Sequence, residues 1–263
     1  MYARKTALLI AVMCCAGIGA HAQTATQAAP PAAGQNQTAT PAAVQPASKG
    51  PEALSPAALA SLKQRASSGD LASQNKLGEM YGIGQGVTRD LQEAAKWFRK
   101  AAEQGDASAQ LKMGVMYLGG FGVPADTGES LSWFKKAAAQ GNTDAMMQLG
   151  NLYEYGVRVP KSGPEALTWY TKAADKGSIP AQIKAGDIYR DGLEDVPHDY
   201  QQALKWFRKA SEQGSGRADY CIGYMYQQGM GVAASVDQAA DWYAKAIQDN
   251  FPSAAVALRN LKR

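Results

Sequence analysis

Apolar positions recur with helical spacing from about residue 69 to residue 249, and the same arrangement returns every 36 or 37 residues. In the first unit, Ala72 to Tyr81 predicts one helix and Gly84-Gln85-Gly86-Val87 a turn. Asp90 to Gln104, with Ala94, Trp97, Phe98, Ala101 and Ala102 on its apolar stripe, predicts a second helix. Gly105 then closes the unit as a helix C-terminal cap, and Gly69, Gly141, Gly177 and Gly214 stand in equivalent places. The five tryptophans, Trp97, Trp133, Trp169, Trp206 and Trp242, are spaced 36, 36, 37 and 36 apart. Gly78, Gly114, Gly150, Gly186 and Gly223 keep the same beat, followed three places later by Tyr81, Tyr117, Tyr153, Tyr189 and Tyr226. The extra residue of the fourth unit falls in the stretch Gly192 to Val196, where a turn absorbs it cheaply.

The expected units are 69–104, 105–140, 141–176, 177–213 and 214–249, each a pair of antiparallel helices. One such pair cannot bury its apolar face alone, so the units must stack. Glycine inside a helix costs about 1 kcal/mol against alanine. Its return in five first helices therefore predicts close backbone approach between helices, with the bulky edge at Trp97 and Phe98 meeting a small edge of the next unit. Ser55-Pro56 opens a lone helix over 55–68, with a good N-cap and proline at the first position. A second lone helix over 253–263 places Arg259 where the units carry glycine; both are expected to be end caps of a folded region spanning 51–263.

The residues ahead of this region have another character. Arg4 and Lys5, the apolar stretch Ala7 to Gly19 and the small-x-small pattern Ala20-His21-Ala22 predict a signal peptide over 1–22, cut after Ala22. Its apolar stretch is shorter than the roughly 20 residues of a membrane span. Of the 28 residues 23–50, 22 are Ala, Pro, Gln or Thr and one is charged, a composition that predicts a disordered tether. The chain is 263 residues long, with 46% hydrophobic and 19% charged residues and a net charge of 27 − 23 = +4. Without Arg4 and Lys5 that charge falls to +2, and the cations do not cluster, so a nucleic-acid partner is excluded. The exported chain would keep one histidine, His198, and one cysteine, Cys221, too few for a Cys/His metal cluster or an internal disulfide.

The order Leu77-Gly78, Tyr81, Gly84, Gly86-Val87, Asp90, Ala94, Trp97-Phe98, Lys100-Ala101-Ala102 and Gln104-Gly105 resembles the Sel-1-like repeat family, relatives of the tetratricopeptide repeats. The likeness returns in Met113-Gly114, Tyr117, Gly120, Gly122-Val123, Asp126, Trp133-Phe134 and Lys136-Ala137-Ala138, and in the later units. Departures are Arg158 for the second turn glycine, Ser162 and Ser235 for the aspartate, and the longer fourth turn. The resemblance implies an all-α, right-handed solenoid whose members act as protein-binding adaptors. Its exported members include regulators of sensor kinases, assembly factors for the envelope and immunity proteins. It also implies that the first helices line a concave surface. At 100° per residue, Ala109, Met113, Met116 and Tyr117 share the core face of their helix, and Leu111, Val115 and Leu118 fall opposite. Comparable positions are Met147, Asn151 and Glu154, then Ile183, Asp187 and Arg190, then Tyr220, Tyr224 and Gln227. Of these, Leu111, Val115, Leu118, Met147, Asn151, Asp187, Arg190, Tyr220 and Tyr224 are the expected partner-binding residues, unless Leu111, Met147, Ile183 and Tyr220 pack against the neighbouring first helix instead. Tyrosine is a favoured interface anchor.

Catalytic constellations are thin. Ser132-Trp133-Phe134-Lys135 matches the Ser-x-x-Lys pattern of penicillin-recognising enzymes, but it sits at a variable second-helix position without a Lys-Thr-Gly companion. Cys221 and His198 are both expected at the surface, with no third group to orient them, and Cys221 is a candidate for an intermolecular disulfide. The expectation is a non-catalytic adaptor of the bacterial envelope, periplasmic or secreted, with another protein as partner. It needs no cofactor or metal and has no membrane span after signal cleavage. The alternative is an envelope hydrolase or a penicillin-binding, β-lactamase-like enzyme.

Overall fold

A computed structural model describes residues 54–261. The signal peptide and tether lie outside the described residues, as do the ends of the 51–263 region. The described residues form twelve helices in sequence. Helix α1 (Pro56–Ser67) precedes five pairs: α2 (Leu71–Ile83) with α3 (Leu91–Glu103), α4 (Ala107–Gly119) with α5 (Thr127–Ala139), and α6 (Thr143–Tyr155) with α7 (Gly163–Asp175). Then come α8 (Ile179–Asp191) with α9 (Tyr200–Glu212), α10 (Gly216–Gln228) with α11 (Val236–Gln248), and the closing helix α12 (Ala254–Leu261). Each helix packs chiefly on the one before and the one after it, which makes an all-α solenoid. No helix among the described residues is long and apolar enough to cross a membrane.

Local chemistry sets the boundaries. Asp90, Asp126 and Asp199 cap the starts of α3, α5 and α9 through their carboxylates. Ser162 and Ser235 do the same at α7 and α11, accepting from Glu165 N–H and Gln238 N–H, so replacing the aspartate leaves the cap intact. Four of the first helices end on a left-handed glycine: Gly84, Gly120, Gly156 and Gly229. Each turn is tied back by the cap residue's N–H, which donates to the carbonyl of the repeated tyrosine, as Asp90 does to Tyr81 at 2.9 Å. In the fourth repeat the extra residue folds into a tight hairpin in which Leu193 and Val196 exchange both backbone hydrogen bonds.

The repeated first-helix glycine does something other than the sequence predicts. A Cβ at Gly78 would stand 2.6 Å from the ring of Phe98, and one at Gly114 2.5 Å from Phe134. Gly150, Gly186 and Gly223 face Tyr170, Phe207 and Tyr243 in the same way. The close approach is therefore backbone to aromatic ring, within one repeat, rather than backbone to backbone across repeats. A ring set against the bare helix backbone fills the space that a side chain would otherwise take, and all five rings are buried.

Candidate partner-binding surface

The first helices of consecutive repeats lie close enough for their side chains to meet. Lys112 of α4 donates to Glu79 of α2 at 2.7 Å, and Lys184 of α8 reaches Glu154 of α6 at 3.0 Å. Arg217 of α10 pairs with Asp187 of α8 at 2.9 Å. Arg190 holds Asp187 at 3.1 Å and Asp191 at 2.7 Å, and its Nη1 lies 3.6 Å from the Cys221 sulfur. These pairs draw the first helices into one face.

That proximity overturns part of the expected site. Leu111, Val115 and Leu118 are 6%, 0% and 2% exposed, so they line no open groove. With α3 and α5 packed on α4 and Glu79 of α2 within reach of Lys112, the face of α4 opposite its own second helix is core as well. The sequence carried the signal: from Leu111 to Leu118 only Lys112 is charged, and a helix apolar all round is a buried helix. Ile183 is buried and Met147 half-buried among core side chains, which matches packing against neighbouring first helices. Tyr220 is spent on the C-terminal cap, its ring 5.4 Å from Tyr243 and 5.3 Å from Phe251.

The polar members of the set remain at the face, half-buried. Tyr170 reaches through the gap left by Gly150, and its hydroxyl lies 2.7 Å from Asn151 Oδ1 and 2.5 Å from Glu154 Oε2. Burial, reinforced by the Glu154 carboxylate, keeps this phenol protonated well beyond the ordinary tyrosine range. Burial also raises the Asp187 carboxyl, against the pull of Arg190 and Arg217. Tyr224 keeps part of its ring accessible, and Gln227 accepts from the Tyr243 hydroxyl at 2.7 Å. Tyr155, which lies outside the set expected from the sequence, is 48% exposed and accepts from Lys184 at 3.1 Å; it sits beside Glu154, on the last turn of α6.

Cys221 is buried, not surface-facing as expected. Burial, with help from the Asp187 charge, pushes its thiol up to about 11, so it is neither presented for an intermolecular disulfide nor poised as a nucleophile. His198 is exposed in the fourth turn and stacks on Tyr200 at 5.0 Å. Ser132 and Lys135 are both exposed on α5. Among the described residues no group of three or more His, Cys, Asp or Glu side chains is placed to hold a metal ion.

On the second helices a lysine three residues after each tryptophan lies over its indole ring. Lys100 lies 4.5 Å from the Trp97 centroid, Lys136 4.0 Å from Trp133, Lys172 4.3 Å from Trp169, Lys209 4.2 Å from Trp206 and Lys245 5.1 Å from Trp242. The spacing was legible in the sequence, since residues at i and i+3 share a helix face.

The family model described as the Sel1 repeat matches residues 71–106, 107–142, 143–178, 179–215 and 217–251. Among solved structures, the chain is similar to c5321, a protective antigen of uropathogenic Escherichia coli displaying an SLR fold. Identity is 36% and the TM-score 0.70, over 78% of this chain and 44% of that one. The chain thus spans less than half of that protein. It is also similar to a Sel1 repeat protein from Oxalobacter formigenes, at 31% identity and a TM-score of 0.63, over 79% of this chain and 82% of that one. No curated protein matches the chain.

Proposed function

The chain belongs to the Sel1 repeat family, and from that premise we propose that it is a non-catalytic scaffold which holds another protein against the first-helix face of its last three repeats. The observation that carries this reading is the continuity of that face. Side chains of α6, α8 and α10 are joined across repeats by Lys184 with Glu154 and Arg217 with Asp187, while Tyr155 and Tyr224 keep part of their rings accessible. A rigid, charge-balanced surface with partly exposed tyrosines suits recognition of a protein segment: the rings supply contact area, and the fixed ion pairs set register. The site as proposed comprises Asn151, Tyr155, Lys184, Asp187, Arg190 and Tyr224. It leaves out Leu111, Val115, Leu118, Met147 and Tyr220, which the fold uses internally. The place of action in this reading is the periplasm or the exterior, after cleavage behind Ala22.

The test is cross-linking capture from the native envelope with wild-type protein and a Tyr155→Ala/Tyr224→Ala variant whose helicity is verified by circular dichroism. Loss of one specific cross-linked partner supports the reading, and unchanged capture places binding elsewhere. Purified protein should show no turnover of β-lactams or peptidoglycan; turnover abolished by Ser132→Ala or Cys221→Ala would establish the hydrolase instead. Mass measurement of the envelope-borne chain should give an N-terminus at Gln23, and a chain still beginning at Met1 would contradict export by cleavage.

A further inference from the structure

We propose that the second-helix side of the second repeat, completed by Arg158 from the turn of the third, is a docking surface for an acidic segment of a protein partner. The surface is distinct from the first-helix face, so either can fail without the other.

Arg158 holds a backbone conformation that favours glycine. Gly86, Gly122 and Gly231 occupy one turn position at φ of 74°, 70° and 69°, and Arg158 occupies it at 59°. Left-handed backbone costs a non-glycine residue roughly 1–2 kcal/mol, and glycine at 158 would avoid that cost. This turn faces the second helix of the preceding repeat. A Cβ at Gly122 would collide with the backbone at Leu91 and Gln92, at the start of α3, and one at Gly231 would stand 2.7 Å from the Tyr200 Cβ. By the same register the turn at Arg158 meets the start of α5, where Gly128 stands at the position of Gln92, Pro164, Gln201 and Asp237. A Cβ at Gly128 would meet only Asp126 Oδ1 within 4 Å, at 3.3 Å. Arg158 thus brings a guanidinium to this interface, where the first, second and fifth repeats carry a left-handed glycine and the longer fourth turn carries Glu194 at φ 47°.

The surroundings of that guanidinium hold two cations, Lys135 and Lys136, against Glu129 on α5 and Asp126 at its cap. Lys135, Lys136 and Arg158 are exposed, and none forms an ion pair among the described residues, whereas Glu129 is the only acid on α5. Lys136 is steadied over Trp133 at 4.0 Å. In the first repeat the corresponding open groove runs between α3 and the next turn, lined by Glu93, Lys96, Trp97, Lys100, Gly122 and Val123. There Lys96 is paired with Glu93 at 2.5 Å. In the second repeat the Lys96 position is Ser132, a neutral donor, and the Gly122 position is Arg158. The Ser132-x-x-Lys135 pattern thus falls in a groove with surplus positive charge. Cations spread over a helix and a turn match carboxylates along an extended segment, with Arg158 able to take one in bidentate fashion.

The experiment measures binding of a fluorescein-labelled octaglutamate peptide to the full chain by anisotropy at low salt. Arg158→Gly and Lys136→Gln should each weaken binding roughly five- to ten-fold. Arg158→Gly should melt at or above the wild-type temperature, which separates lost contact from lost fold. A Lys205→Gln/Arg208→Gln variant, in the fourth repeat, should bind as wild type. The proposal is overturned if the peptide does not bind, if Arg158→Gly binds it normally, or if the fourth-repeat variant weakens binding as much. It is equally overturned if the chain ignores the peptide but binds phosphatidylglycerol vesicles through Arg158.

Discussion

At the scale of single residues, the helix-interior glycine and its aromatic partner form the unit of construction. The glycine gives up helix propensity and gains a ring seated on the backbone. In the third repeat that ring is Tyr170, and its hydroxyl continues through the gap to Asn151 and Glu154. Gly150→Ala should therefore destabilise the protein despite alanine's higher propensity, because its methyl carbon would stand 2.5 Å from the ring. A loss of about 1–3 kcal/mol is expected, the range for overpacking, read as a lower denaturation midpoint with an unchanged m-value. A midpoint equal to or above wild type would show that the ring yields at no cost. The sequence identified the glycine positions and their abnormality. It could not say what occupied the space, because a neighbour 20 residues away along the chain is set by helix pairing and not by local pattern.

At the scale of helices, a buried glutamine joins three elements at a time. Gln74, Gln110 and Gln182 donate to the carbonyls of Ala66, Ala102 and Ala174 at the end of the preceding second helix. They accept from Gln104, Gln140 and Gln213 on their own second helix, each at 2.8 Å. The third repeat has Met146 in this position and the fifth has Asp219. Asp219 is fully buried; Lys245 lies 3.0 Å from one carboxylate oxygen and 2.6 Å from Ser211 Oγ. Burial raises the Asp219 carboxyl above its usual range, with Asp249 adding to the rise and Ser211 and Lys245 opposing it. A carboxyl raised in the folded state favours folding below its unfolded pKa of about 4, and that contribution is lost as pH climbs through the folded value. Asp219→Asn, which cannot ionise, should narrow the difference in melting temperature between pH 4 and pH 7, with the larger gain over wild type at pH 7. An unchanged difference between the two pH values would remove Asp219 from the pH response.

At the scale of the whole molecule, stability is a sum of neighbouring interfaces, so the ends matter out of proportion to their size. Helix α12 has eight residues, yet the segment it closes covers Tyr220 and Tyr243 with Phe251, Leu258 and Leu261. Truncation after Asp249 should expose this aromatic cluster, lower the melting temperature and increase binding of an apolar dye. The first repeats should keep their helicity, because α12 does not pack on them. Complete unfolding on truncation would mean that the solenoid is one cooperative block. The same neighbour-to-neighbour logic explains the buried Leu111, Val115 and Leu118. A helix in the middle of a stack has other helices on both flanks, and a projection of that helix alone cannot show them.

The sequence by itself determined the number of repeats, the helices with their caps, the turn glycines, the place of the inserted residue and the family. All of these rest on interactions within about one repeat, which leave a periodic mark on the chain. Only the tertiary structure decided which side of each first helix is accessible. It also decided that ion pairs join the first helices of neighbouring repeats and that Cys221 is sealed beside Arg190. These depend on how one repeat is set against the next, a relation fixed by packing geometry over 30 or more residues and carried by no local pattern.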